Sequence, residues 1–104
     1  MNKDLRILKE KEISERLKSF PGWKYNKSKN NISKEFKFKS FMDALAFINK
    51  LAPISEKNDH HPDIHIFYTK ILFELQRFSV GGKVTERDFF IASEIERLYK
   101  EYLS

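Results

Sequence analysis

The spacing of the apolar residues switches along this chain between a helical and a strand repeat. Apolar residues recur every third or fourth position in three segments and every second position in four others. These repeats place side chains on one side of a helix or of a strand, so the chain must combine both. The predicted order is α-β-β-α-β-β-α. It favours an α+β fold, with a four-stranded antiparallel sheet and helices packed on one face.

Each predicted helix has a recognisable beginning or end. Ser40 and Thr85 can each cap the free amides of a first turn, and an aspartate three residues later, Asp43 or Asp88, completes the pattern of a capping box. Asp88 shares its helix face with the apolar residues that follow it. Pro53 removes one hydrogen bond, so we expect the second helix to kink or divide there. The predicted helices cover residues 10–20, Ser40 to about Asn58, and the segment that begins at Thr85.

The predicted strands are bounded by polar turns and by a proline. Lys34 interrupts the apolar side of the second strand, so we expect it near an edge or an end. Pro62 disfavours helical geometry at His61, so the chain should be extended there. The predicted strands cover residues 23–25, 32–39, 63–68 and 70–78.

The composition predicts one globular domain over residues 1–104. The residues are 40% hydrophobic and include ten Phe, which gives a small core bulky side chains. Cysteine is absent, which excludes disulfides, thiolate metal sites and cysteine nucleophiles. No apolar run approaches the ~20 residues that span a bilayer, and the charged N-terminus lacks a signal peptide's apolar stretch. We therefore expect a cytoplasmic protein with no membrane contact.

The net charge of +5 is unevenly distributed. Residues 1–40 contain 12 Lys and Arg against 5 Asp and Glu, whereas the remainder contains 8 against 10. A basic first half is compatible with an anionic partner such as nucleic acid. A solvated lysine-rich surface accounts for it more simply, so nucleic-acid binding is not the expected function.

All three histidines lie within six residues, at His60, His61 and His65. Imidazole both donates and accepts protons near neutral pH, so the adjacent pair His60-His61 is a candidate acid–base site. Adjacent residues of an extended segment point in different directions and could contact different edges of one heterocyclic ligand. His65 is expected on a strand face, without a catalytic role.

Two alternatives compete with the acid–base site. His61 and His65 could bind a metal with an aspartate, but strand residues four apart are separated by about 13 Å, so no metal site is predicted. The histidine pair could also simply end a helix, since the helix dipole favours histidine there. Spacing alone leaves this second alternative open.

Several segments together resemble the pterin-4a-carbinolamine dehydratase family. They are Glu56-Lys57-Asn58-Asp59-His60-His61-Pro62-Asp63, then Tyr68, Gly81-Gly82 and Thr85-Glu86-Arg87-Asp88. The characteristic spacing is an acid, three residues, His-His-Pro, five residues and an aromatic. The resemblance extends from about Ile32 to Leu98 and identifies the chain as a single domain of this type.

The resemblance implies a reaction and a set of site residues. Family members remove water from a 4a-hydroxytetrahydropterin to give a quinonoid dihydropterin, without a metal or an organic cofactor. His60 and His61 match the family's catalytic pair, and Glu56 matches the motif acid. The matching pterin-binding positions are Asp59, His60, His61, Gln76, Arg77, Phe78 and Ser79.

One position departs from the family pattern. Ten residues after the aromatic, the family has a histidine or sometimes a tryptophan, and this chain has Phe78. Phenylalanine cannot transfer a proton, although it can stack on a pterin ring. We therefore expect a dehydratase with weakened activity, and the alternative is a non-catalytic module that binds a pterin or a protein.

The resemblance also implies oligomers. Family members form homodimers or homotetramers, and some act as dimerisation partners of a transcription factor. Leu98, Tyr99 and Tyr102 of the last predicted helix are candidate apolar contacts, but a role in the core is equally open.

Overall fold

The computed structural model describes residues 6–77 and 82–104 and confirms the predicted α+β fold and order of elements. The strands form one sheet in the order β1-β2-β4-β3, and each neighbouring pair is antiparallel. The elements are α1 (Glu10–Leu17), β1 (Lys24–Asn26), β2 (Asn31–Lys37), α2 (Phe41–Lys57), β3 (Asp63–Phe67), β4 (Lys70–Leu75) and α3 (Glu86–Leu103).

The core lies between the helices and one face of the sheet. Alternate residues of the two central strands point into it, and Phe36 of β2 is paired in register with Ile71 of β4. Edge strand β3 is less buried. The predicted apolar stripe of α3 is also confirmed. The buried residues of β2, β4 and α3 are Asn31, Ile32, Phe36, Ile71, Phe73, Leu75, Asp88, Phe89, Ile91, Ala92, Ile95 and Leu98.

Strand β4 ends earlier than predicted. Its last residue is Leu75, and the predicted end, Phe78, lies outside the described residues. Beyond β4, Arg77 and Lys83 form an isolated antiparallel bridge. The Arg77 amide donates to the Lys83 carbonyl at 2.9 Å, and the Gly82 amide donates to the Arg77 carbonyl at 3.0 Å.

Helix α2 begins as predicted and passes through its proline. The Ser40 hydroxyl accepts from the Asp43 amide at 3.1 Å. The Asp43 carboxylate instead accepts from the Tyr102 hydroxyl at 2.8 Å, which connects α2 to α3. The helix continues through Pro53 to Lys57 and does not divide. Proline removes one helix hydrogen bond, and the others of this 17-residue helix keep it continuous.

Lys34 interrupts the apolar face of β2 because it forms part of a polar cluster. It lies one residue beyond the part of β2 that pairs with β1. Its Nζ is 2.6 Å from Glu96 Oε2 on α3, and the same oxygen accepts from Trp23 Nε1 at 2.8 Å. Trp23 is only 5% exposed, so Glu96 is the partner of a nearly buried indole N–H and of a largely buried ammonium group.

Part of the basic charge in the first forty residues is matched by acids. Lys27 Nζ lies 3.2 Å from a Glu10 oxygen, and Lys29 Nζ lies 3.8 Å from a Glu74 oxygen.

In the part of the chain that the structure describes, no helix has an apolar stretch long enough to cross a membrane.

We predict that Glu96→Ala lowers the free energy of unfolding by about 1–3 kcal/mol. It leaves the Trp23 N–H without its acceptor, and the Lys34 ammonium keeps the Pro21 carbonyl at 3.0 Å but loses its carboxylate partner. Glu101→Ala on the same helix is a matched control. It removes only an exposed pair with Arg97 at 3.0 Å, and should cost about 0.5 kcal/mol or less. Urea denaturation of both variants measures the difference, and equal losses would contradict the assigned role of Glu96.

Candidate active site

The loop after α2 positions the histidine pair. Asp59 has a positive φ of 48°, and its amide donates to the Glu56 carbonyl at 3.2 Å. The His60 amide then donates to the Ser55 carbonyl at 3.0 Å. These bonds satisfy the last carbonyls of the helix and fix the direction in which the chain leaves it. As a result, His60 lies beneath the loop and His61 lies at its surface.

His60 is buried and both of its ring nitrogens have protein partners. The residue is 3% exposed, and its Nε2 forms a short contact with Oδ1 of Asp88, which is fully buried. Its Nδ1 lies 3.0 Å from Nη1 of Arg77. A guanidinium can only donate, so Nδ1 accepts and the ring proton lies on Nε2, directed at Asp88. The ring is therefore fixed in orientation and in tautomer.

Asp88 also holds the start of α3. Its Oδ2 accepts from the Thr85 amide at 2.7 Å, which is half of the predicted capping interaction. One carboxylate thus binds a free amide at a helix start and a histidine from another part of the chain. A buried carboxylate needs such partners, since its burial without them would be costly.

His61 is exposed, in contrast to His60. Its side chain is 53% exposed, and its Nε2 lies 2.6 Å from Oε2 of Glu56, which is 77% exposed. Glu56 belongs to the last turn of α2, so the carboxylate is supplied by a regular element. The carboxylate partner orients the imidazole ring. His61 is thus accessible to a ligand and able to exchange protons with it.

A cavity of about 320 Å³ opens where the loop faces the end of β4. Five predicted site residues line this cavity, and Glu56 contacts one of them, His61. The predicted positions Phe78 and Ser79 lie outside the described residues. The residues that line the cavity are Asp59, His60, His61, Pro62, Asp63, Gln76 and Arg77.

Two arginines attach the histidine loop to neighbouring segments. Arg77, after β4, donates to the Asp59 carbonyl as well as contacting His60. Arg87, on α3, donates to the Asn58 carbonyl. Carbonyl oxygens near a helix C-terminus carry partial negative charge, which favours cations at this point. The loop is thus held from two sides, which restricts its movement relative to the cavity.

Sequence reasoning assigned Asp88 only to a helix start and missed its contact with His60. The sequence did contain a signal, because Asp88 occurs on the apolar, core-facing side of α3. An acid in that position requires a buried donor, and a histidine elsewhere in the chain is a natural candidate.

His60 and His65 have different surroundings. The backbone around Asn58 and Asp59 completes the C-terminus of α2, and the His60 ring instead contacts Asp88 and Arg77. His65 lies on β3, where its Nε2 is 2.9 Å from Glu74 Oε1, and it is not among the residues that line the cavity.

We predict that long-range proton–nitrogen NMR spectra show His60 with its proton on Nε2, because Arg77 donates to Nδ1. Asp88→Asn should shift the His60 resonances and lower the free energy of unfolding by about 1–3 kcal/mol, since a buried donor loses its charged acceptor.

Asp43→Asn is the matched control for Asp88→Asn, because Asp43 also lies three residues after a capping residue but contacts Tyr102 instead of a histidine. It should leave the His60 resonances in place. A proton on Nδ1 of His60 in the wild-type protein would contradict the arrangement described above.

A family model and two similar proteins carry the same family description. A sequence model of the family described as pterin 4 alpha carbinolamine dehydratase matches residues 6–98. A Sulfolobus acidocaldarius protein with the provisional name pterin-4-alpha-carbinolamine dehydratase is 42% identical over 91 residues, which are 88% of this chain and 97% of that protein. A Picosynechococcus protein with the same provisional name is 42% identical, over 88% of this chain and 96% of its own.

Two solved structures share the fold. The crystal structure of a Brucella melitensis protein described as a transcriptional coactivator/pterin dehydratase has a TM-score of 0.83 and 33% identity, and covers 89% of this chain and 98% of its own. A pterin dehydratase-like protein described as a RuBisCO assembly factor in the alpha-carboxysome has a TM-score of 0.62 and 25% identity, and covers 76% of this chain and 90% of its own.

Proposed function

This chain belongs to the pterin-4a-carbinolamine dehydratase family, and we propose that it removes water from a 4a-hydroxytetrahydropterin bound in the cavity beside His60 and His61. The observation that carries the proposal is the different environment of the two histidines. One is fixed by Asp88 and Arg77, and the other is exposed beside Glu56.

The exposed histidine performs the proton transfers in this proposal. Protonated His61 gives its proton to the hydroxyl at carbon 4a of the pterin, the carbon–oxygen bond breaks, and water leaves. The electron pair of a ring nitrogen forms the new double bond, and that nitrogen then loses its proton. The His61 imidazole, now neutral, accepts this proton and returns to its starting state. Glu56 orients the ring through its contact with Nε2.

His60 acts from the floor of the cavity. Its ring is held by Asp88 and Arg77, so it contacts the pterin in one fixed orientation. Such fixed groups help catalysis by positioning the substrate, because they do not have to reorganise during the reaction. Asp59, Gln76 and Arg77 line the same cavity and are proposed to bind the pterin ring, as are Phe78 and Ser79.

The proposed reaction is slow. The family pattern has a third acid–base residue at the position of Phe78, and a phenyl ring cannot exchange protons. One general acid or base commonly contributes ~10²–10⁴ in rate.

A non-catalytic binding module is the second candidate function, and Phe78 is the observation that favours it. A chain that keeps the pterin cavity but lacks one acid–base residue can bind a ligand without converting it. Measured rates of carbinolamine dehydration distinguish the two candidates.

We predict that His61→Ala lowers the rate of carbinolamine dehydration by ~10²–10⁴, toward the uncatalysed rate, because the exposed acid–base group is lost. His65→Ala is the matched control, since His65 also pairs with a glutamate but lies outside the cavity, and it should keep the wild-type rate. A wild-type rate equal to the uncatalysed rate would exclude the enzyme and favour the binding module.

We predict that Phe78→His raises the dehydration rate by a factor of up to ~10²–10⁴, which is the contribution of one general acid or base. Phe67→His controls for the introduction of a histidine, because Phe67 is 54% exposed on β3 and does not line the cavity. An unchanged rate in Phe78→His would show that the missing histidine is not the limitation.

A further inference from the structure

A row of exposed side chains crosses the sheet on the face that points away from the core. Phe67 of β3, Lys70 of β4 and Lys37 of β2 are aligned in register across three neighbouring strands. Side chains alternate between the two faces of a strand, and the neighbouring residues Phe36 and Ile71 are buried in the core. The row therefore lies on the outer face. It crosses β3 and β4 at the end opposite to the histidine cavity, whose lining includes the first residue of β3 and the residues just after β4.

The two lysines of this row have an unfavourable arrangement. Directly opposed residues of neighbouring strands have Cβ atoms about 5 Å apart, so like charges placed there repel each other. Within the described part of the chain, neither Lys37 nor Lys70 forms an ion pair, whereas the lysines of the β1–β2 turn do. The closest acid in the register is Glu35, two positions along β2, and it is not paired with either lysine in that part of the chain. An arrangement that breaks a rule of sheet pairing is expected where a partner supplies the missing charge.

The row ends in an exposed aromatic ring. Phe67 is 54% exposed, and Tyr68, in the two-residue connection to β4, is 76% exposed. The face of an aromatic ring can stack on a nucleobase, and an ammonium group can bind a phosphate. The phenyl ring and the two charges together fit a ligand that carries planar rings along an anionic backbone.

We propose that the row formed by Phe67, Lys70 and Lys37 is a contact surface for single-stranded nucleic acid. The phenyl ring stacks on one base, and the two ammonium groups contact phosphates of the same strand. A double helix does not fit, because its bases are stacked on one another and are not available to a ring on a sheet face. An acidic protein segment would match the lysines but would offer no ring to Phe67. This function is independent of the pterin reaction, since the row shares no residue with the lining of the histidine cavity.

Fluorescence anisotropy of the full chain with labelled oligomers of deoxythymidine and of uridine tests the contribution of the lysines. Lys37→Gln/Lys70→Gln should lower the slope of log affinity against log salt concentration by about 1.4, which corresponds to two lost phosphate contacts on a single strand. Removal of two opposed like charges should not lower the melting temperature, so a loss of binding is not a loss of folding. Lys50→Gln/Lys100→Gln is the matched control, because it removes the same charge from exposed positions of α2 and α3 and should keep the wild-type slope.

The contribution of the ring is tested separately. Phe67→Ala should weaken binding of the oligomer by about 5- to 150-fold, which is the range for loss of one stacked base. Phe67→Trp should keep the wild-type affinity, and the fluorescence of the new indole should be quenched when a base stacks on it. Phe41→Ala is the matched control, since Phe41 is 43% exposed on α2 instead of on the sheet, and it should bind as the wild type does.

Each outcome decides for or against the proposal. Binding that is lost in the lysine and Phe67 variants but kept in the controls supports it, and the tighter oligomer shows whether the strand is DNA or RNA. No binding of either oligomer by the wild type at low salt would overturn it, as would equal effects of the two lysine pairs, which would indicate attraction by net charge alone. Equal or tighter binding of a duplex would exclude stacking on Phe67. Displacement of the oligomer by polyglutamate at equal charge would assign the surface to an acidic protein instead.

Discussion

The buried contact between Asp88 and His60 is the interaction on which the arrangement of the site depends. It joins the first turn of α3 to the loop that follows α2, two segments separated by 28 positions in the sequence. The same carboxylate caps α3 through the Thr85 amide, so the position of the helix and the orientation of the histidine are set together. Arg77 fixes the remaining ring nitrogen of His60 from the end of β4. Three separate segments therefore meet at one imidazole.

Because His60 is held in one orientation, the exposed ring of His61 beside it has a fixed neighbour in the cavity. Backbone bonds at the end of α2 determine where the chain turns, and Pro62 disfavours helical geometry at His61. Adjacent residues then point in different directions, so burial of one ring brings the other to the surface beside Glu56. A rigid residue next to an accessible one suits acid–base chemistry, where the substrate must be held still while a proton moves.

The sequence predicted the helices and strands well because each has a local signal. Alternating apolar residues defined β2 and β4, and Ser40 marked the start of α2. The sequence could not predict interactions between distant segments. Lys34 looked like a defect in a strand face until Glu96 supplied its partner, and Asp88 looked like part of a helix cap until His60 did. Five of the predicted site residues line one cavity. Only the family pattern predicted them as one site, because the spacing of the histidines alone also allowed them simply to end a helix.

The double role of Asp88 has a consequence for how such sequences change over time. Loss of either Asp88 or His60 leaves a polar group unpaired in the core, so the folded chain needs both residues even where no reaction is required. His61 is exposed and is free of that constraint, so it can drift. Descendants that acquire new roles would therefore retain the buried half of the motif as an inherited structural element. The exposed half is the better record of whether the original chemistry is still under selection.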